Sequence, residues 1–421
     1  MPASTFNFHP LEESTGVGWF QELQKKAWEQ FSQLPSPGRH DEAWRFSSIG
    51  NIALEGFHQA PPPTDEQSIL ERSQGITPLA AQLVFGNNRL IHADTSNLPQ
   101  GVILVSLQEA IKKHEDLFRR YFMKEEARLG SLKLAMLHLS QLKEGVFLYV
   151  APGVVVDKPI EIWHWVQGNR SALFPHTLLV AGAGSHLAVI EHFSSLEEEP
   201  LLACSLSDVV AEEKASIHHV TIQDWSPQAV AFHLNTTSVL QEGSATSLQL
   251  HRGGHFVRSE NDSRLFGKGA KSMMLSIVSA HGAQEFDQRT LQDHLSPEAK
   301  SDLLYHNALS DQARTIFSGL IKVQKRAHRT DAYQKVSNLM LSDDAEANSM
   351  PGLEILADDV RCTHGATSGE LNKEELFYMM ARGIDESRAV KLLVRGFFQT
   401  VLERLEEPQL KNYLQLLLDH E

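Results

Sequence analysis

Cysteine is scarce: the chain holds 2 among 421 residues. That excludes a disulfide-framed secreted scaffold, and equally a self-contained zinc or iron–sulfur site built from four thiolates. Basic charge is the minority sign. With 38 Lys+Arg against 53 Asp+Glu, the net charge of −15 argues against broad binding to nucleic acid or an anionic membrane. Long apolar runs are missing as well; the longest uncharged one, residues 177–190, is too short to cross a bilayer and carries two glycines. Residues 1–13 read MPASTFNFHPLEE, without a basic region followed by an apolar run. No secretory leader is therefore expected, and the expected compartment is the cytoplasm, with reduced thiols. An apolar fraction of 42% beside 22% charged residues excludes wholesale disorder. The length suits two or three domains, or one elongated domain with appendages.

What is present changes character along the chain. From Gly18, apolar residues at Phe20, Leu23, Ala27, Phe31 and Leu34 keep a one-face helical spacing until Pro35-Ser36-Pro37-Gly38 stops it. A second helical stretch follows Ser106 and continues, with a break near Gly130, to about Leu142. Beyond Gly145 the chain becomes a series of short β-type runs, among them 146–150, 160–166, 177–180, 187–192, 217–222, 247–251, 274–278 and 319–324. After Gly369 it is helical again. Asp385 or Ser387 can cap a helix whose stripe is Val390, Leu393, Val394, Phe397, Val401, Leu402 and Leu405, and a last short helix follows Pro408. The expected division is 1–142 helical, 143–367 β, and 368–421 helical.

The turns of the β region carry a weak repeat. Small-residue corners marked by Ala215, Ala245, Ala270, Ala313 and Ala345 are spaced 30, 25, 43 and 32 residues apart. A period of this size in strand-type sequence suits a parallel β-helix, but its irregularity leaves a β-sandwich equally open.

Several tempting motifs fail. Gly182-Ala183-Gly184 lacks the third glycine of a dinucleotide fingerprint, and Gly267-Lys268-Gly269-Ala270-Lys271-Ser272 has the wrong spacing for a phosphate loop. His251 and His255 are separated by Gly253-Gly254, which disfavours a helical metal face, and His218-His219 on a strand point to opposite faces. One cluster stands apart. Cys362 and His364 are two residues apart, so on a strand both project to one face, and thiolate with imidazole suits zinc, iron or an iron–sulfur cluster. A buried thiol beside a hydrogen-bonded imidazole fits the spacing too, and two ligands do not close a tetrahedral site. Cys204 could add a third ligand only if the fold brings it close.

The same segment carries a resemblance. Arg314-Thr315-Ile316-Phe317-Ser318-Gly319, Asp331-Ala332-Tyr333-Gln334, Asn338-Leu339-Met340-Leu341-Ser342, Pro351-Gly352-Leu353-Glu354-Ile355 and Ala357-Asp358-Asp359-Val360-Arg361-Cys362-Thr363-His364-Gly365-Ala366-Thr367 resemble the SufB/SufD family of the SUF iron–sulfur assembly system. Glu42-Ala43-Trp44-Arg45-Phe46 and Leu376-Phe377-Tyr378-Met379-Met380-Ala381-Arg382-Gly383-Ile384 fit it as well, in order across essentially the whole chain. The Cys-x-His-Gly-Ala-Thr form and the cysteine-poor body are similar to the SufD-like branch.

The resemblance implies a mainly β fold, a right-handed parallel β-helix flanked by N- and C-terminal α-helical domains. It implies a non-enzymatic scaffold that pairs with SufB through the β-helix edge and docks the SufC ATPase through its C-terminal helices. Cys362 and His364 would then be metal ligands shared with SufB, and Leu376, Phe377 and Met380 the SufC contact. No cofactor is expected to stay bound to the chain alone; iron or an Fe–S cluster would be held transiently in the complex. Two other functions stand beside this one. One is a β-helix enzyme acting on polysaccharide, which would need convergent carboxylates in its groove. The other is a homodimeric partner-binding protein with no metal role, joined through an unpaired sheet edge.

Overall fold

The computed structural model describes residues 8–11, 17–52 and 54–419. The leader expectation concerned residues 1–13, which lie mostly outside the described residues. From Gly145 onward, strand and corner alternate with one geometry. Strands Gly145–Val150, His176–Ala181, Leu201–Ala211, Val230–Val239, Phe256–Leu265, Glu285–His294, Arg314–Val323 and Glu346–Ile355 stack in parallel as one sheet. Strands Ile160–Val166, His186–Ser195, Ser216–Asp224, Ser244–His251, Lys271–Ala280, Lys300–Leu309, Asp331–Met340 and Arg361–Glu370 stack as a second. The chain visits the two sheets alternately, so each strand pairs with the strand one turn later. The fold is a β-solenoid of about eight turns, and the β-sandwich alternative falls away.

The corners explain the uneven repeat. Ala215, Ala245 and Ala270 enter strands of the second sheet, whereas Ala313 and Ala345 enter strands of the first. The step of 43 residues is therefore one and a half turns, where the marker passes from one corner of the coil to the other. At the corner before the second sheet, Gly184, Lys214, Glu242, Gly269, Glu298, Arg329 and Asp359 all have φ between 53° and 69°. Left-handed backbone costs a non-glycine residue roughly 1–2 kcal/mol. The stacking offsets it: from Gly184 to Arg329 each of these N–H groups donates to a carbonyl at the same corner of the next turn, at 2.8–3.1 Å.

Strand side chains alternate between the coil interior and its outer faces, and each outer face is covered by helices. On the first sheet, helices Gly18–Gln33, Leu107–Lys113 and Leu132–Gln141 bury Phe20, Phe31, Leu107, Leu134 and Leu137 against Phe147, Leu178, Leu202, Phe232 and Phe256. On the second, helices Glu386–Leu402 and Pro408–Asp419 press Phe398, Val401, Leu402, Leu410 and Leu414 onto Ile190, Val220, Ile222, Leu248 and Ile277. Each fully buried side chain of this kind contributes ~1.5–3 kcal/mol. Asp385 caps the first of these two helices by accepting from the Arg388 N–H.

The N-terminal segment carries strands as well as the expected helices: Ala81–Gly86 joins the second sheet beside Ile160–Val166, Arg89–Asp94 pairs with it, and Val102–Ser106 closes the first sheet beside Gly145–Val150. Phe256–Leu265 and Glu285–His294 are strands buried along their whole length despite their charge. Their outward Arg258, Glu260, Asp262 and Asp287 lie under the N-terminal segment instead of in water. Arg258 donates to Glu260 at 2.7 Å, to Asp287 at 2.5 Å, and to the carbonyls of Ala43 and Leu129 at 2.9 Å, with its guanidinium 3.6 Å above the Trp44 ring. Arg128 reaches down to Asp262 and Asp293, each at 2.7 Å.

Candidate functional site: the open end of the solenoid

The solenoid ends without a cover. Strands Glu346–Ile355 and Arg361–Glu370 are the last in their sheets, and among the described residues no strand pairs with their outer edges. Residues that would face the coil interior are left in solvent there. Leu353 and Ile355 lie in register with the fully buried Ile321 and Val323 of the preceding turn, yet are 38% and 41% exposed, and Leu356 is 45% exposed. An edge with unpaired backbone groups and uncovered apolar side chains is a template for another chain.

Cys362 and His364 sit on this last strand. Their register partners are Ala332 and Gln334, both buried and directed into the coil, so the two side chains share the interior-facing side of an end that has no further turn above it. Cys362 is half-buried and packs at the margin of the Ile321, Val323, Ala327 and Ala332 cluster, while His364 is exposed. Burial, and secondarily the negative charge of Asp331, pushes the Cys362 thiol above its ordinary value. Without a cation beside it this sulfur keeps its proton and is a poor nucleophile or ligand. Cys204 is not brought near. It is buried in the third turn, five turns from that of Cys362, under the N-terminal helices, its thiol donating to the Leu134 carbonyl at 3.6 Å. The chain thus presents one thiol and one imidazole at the open end, half of a four-coordinate set.

Helix Lys373–Ala381 follows directly. Asn372 caps it by accepting from the Glu374 and Glu375 N–H groups, and none of its residues is buried. Phe377 is 72% exposed, and Tyr378 and Met380 are also exposed, while Leu376 is partly covered. A short helix that leaves Phe, Tyr and Met in water is an unpartnered apolar surface.

One arrangement was not legible in the sequence. His218 and His219 do face opposite ways: His219 turns into the coil, where it and His164 hold the buried Glu191 at 3.0 and 2.8 Å. His218 turns outward, toward His186 and Glu407. Nothing in the spacing of 186, 218 and 407 could have found that group, because stacking of turns and docking of the last helix bring it together.

A parallel two-sheet solenoid under helical layers, its last turn open and bearing a Cys-x-His pair, defines a class. The chain belongs to the SufBD family: residues 164–397 match the family described as SUF system FeS cluster assembly, SufBD core domain, and residues 12–162 match the SufBD protein N-terminal region. Among curated relatives, it is 28% identical to the iron-sulfur cluster assembly protein SufD of Bacillus subtilis, across 96% of this chain and 94% of that one. It is 26% identical to SufD of Escherichia coli, across 96% and 93%. An iron-sulfur cluster assembly SufBD family protein of Staphylococcus epidermidis is 24% identical over 92% of this chain and 82% of that one. No helix is long and apolar enough to cross a membrane among the described residues.

Proposed function

We propose that this chain is a cytoplasmic scaffold subunit of SUF iron–sulfur cluster assembly. It pairs with SufB through the open end of the solenoid and docks the SufC ATPase through Leu376, Phe377 and Met380 of helix Lys373–Ala381. Iron or a nascent cluster is the cargo, received between Cys362 and His364 of this chain and ligands from SufB. The chain itself turns nothing over; the ATP chemistry belongs to SufC, and the cargo is held only transiently.

The observation that carries this reading is the unfinished last turn, where two unpaired strand edges, exposed Leu353 and Ile355, and the Cys362–His364 pair occupy one surface. Its chemistry is consistent with a shared site. Alone, Cys362 is held protonated by burial. A cation placed against it by partner ligands would release the thiolate, coupling cargo capture to assembly. The test is co-purification with SufB and SufC followed by iron content and visible absorption. Replacing His364→Ala or Cys362→Ala should leave the complex assembled and lower its cluster content several-fold. Normal cluster content in both variants would remove these residues from the ligand set. Failure of the chain to co-purify at all would remove the pairing itself.

A further inference from the structure

Away from the open end, the second sheet meets the C-terminal helices along an apolar seam, and one edge of that seam is polar. His186 opens strand His186–Ser195, and His218 is the third residue of Ser216–Asp224. Ser216 pairs with His186 and His218 with Ala188, so the two histidines are diagonal neighbours on the outer face. Beside Ile190 and Val220, which the C-terminal helices cover, they mark the margin of the seam.

Glu407 comes from above. It precedes helix Pro408–Asp419, its carbonyl accepts from the Lys411 N–H at 3.0 Å, and buried Leu405 and Leu410 pin the chain on either side of it. Its Oε1 lies 3.2 Å from His186 Nε2 and 3.9 Å from His218 Nε2, and all three donor atoms fall within 4.8 Å of one another. Ligands bound ~2 Å from a tetrahedral ion stand about 3.3 Å apart, so the His186–Glu407 separation already matches one edge of such a shell, and His218 needs only a small inward shift to complete the face.

We propose that His186, His218 and Glu407 bind a first-row divalent cation of the Zn2+ or Fe2+ kind, clamping the C-terminal helices onto the solenoid. Two imidazoles and a carboxylate suit zinc or non-haem ferrous iron and leave positions open for water. Two of the ligands are fixed on adjacent strands and the third on a helix entry, so the ion closes a contact between elements instead of decorating a loop. His218 is nearly enclosed, while His186 and Glu407 are about 30% exposed, which leaves an entry path. Glu406 adds a second negative charge felt at His218. Among the described residues this is the one group of three such side chains within ligating reach of one another. The proposal does not depend on the assembly role, since no residue of the open end takes part.

The test uses the purified full-length chain, titrated calorimetrically with Zn2+ and, anaerobically, with Fe2+, and with Co2+ as a visible-absorption probe. One equivalent should bind and raise the melting temperature. Glu407→Gln, which keeps the side chain's size and hydrogen bonding, should weaken binding more than tenfold and abolish the thermal shift, as should His186→Ala. A Cys362→Ala/His364→Ala double variant should bind as the parent does. Wild-type affinity in Glu407→Gln, loss of binding in the double variant, or no binding by the parent would each overturn the site and leave only a histidine–glutamate pair. Circular dichroism of the metal-free variants establishes that they are folded, and Glu407→Gln alone decides the matter if His186→Ala is not.

Discussion

At its first turn the solenoid hands both sheet edges to N-terminal strands, Val102–Ser106 beside Gly145–Val150 and Ala81–Gly86 beside Ile160–Val166, whereas at its eighth turn Glu346–Ile355 and Arg361–Glu370 run out into solvent. The covered part is overdetermined: helices bury both outer faces, and even its charges are enclosed and paired. The open end keeps the same backbone register but lacks the next layer. Stacked coils ordinarily end in a cap with a polar outer face, which keeps the apolar interior out of water. Among the described residues the eighth turn has no such cover, and Leu353, Ile355 and Leu356 are exposed there.

The largest effect should come from breaking the covered part at its most enclosed charge. Arg258→Ala strands Glu260 and Asp287 without their cation and frees the Ala43 and Leu129 carbonyls. Removing one partner of a buried ion cluster costs ~3–5 kcal/mol, and urea unfolding should show a loss of that size. Arg258→Lys restores charge but not the forked geometry, so it should recover only part. A loss under about 1 kcal/mol would mean that the N-terminal segment is not held by this network.

Acid should come next, and it too should act on the covered part. Burial pushes His138, His233, His294 and His306 down to about 4 and His251 to about 3, from an ordinary 6.5. These groups are neutral in the folded chain and take protons on unfolding, so their contribution is complete above pH 6.5 and is lost as the pH falls toward 4. Glu144 and Asp208, raised by burial to about 7, act with the opposite sign over the same window, but the histidines outnumber them. Although burial also acts to raise Glu191, hydrogen bonds from His164 and His219 hold its carboxyl low, which adds to acid lability below its ordinary range. Stability should decline by about 1.4 kcal/mol per pH unit for each unbalanced histidine. A melting temperature unchanged from pH 7 to pH 5 would refute this.

The same contrast explains what the sequence disclosed. The helical stripe from Val390 to Leu405 and strands such as Ile160–Val166 were legible because each has one apolar face or is apolar throughout. Cys362 and His364 were legible as a same-side pair because strand parity is a local rule, and their register confirms the parity. Phe256–Leu265 and Glu285–His294 were not, because a strand alternating charged and small residues reads as exposed unless one knows that Arg128 and the Ala43 and Leu129 carbonyls sit above it. Strands Ala81–Gly86 and Val102–Ser106 were hidden for a related reason: they pair with sheet strands forty residues or more downstream. The His186, His218 and Glu407 group lies beyond local reading altogether.

The smallest effect on stability should come from the open end, and a matched pair of substitutions makes the comparison sharp. Ile321 and Leu353 occupy the same register position in successive turns, the first fully buried and the second 38% exposed. Ile321→Lys forces a charge into the coil interior, where it can find no partner, and should cost several kcal/mol. Leu353→Lys places the same charge in solvent, so urea unfolding of the isolated chain should stay within about 0.5 kcal/mol of the parent. What Leu353→Lys should destroy is association: a lysine on an unpaired strand edge opposes docking of another strand. Co-purification with SufB should be lost, and any self-association of the isolated chain, measured by light scattering, should be lost with it. If instead Leu353→Lys unfolded the chain nearly as severely as Ile321→Lys, the eighth turn would be a packed end rather than an interface, and pairing through it would have to be abandoned.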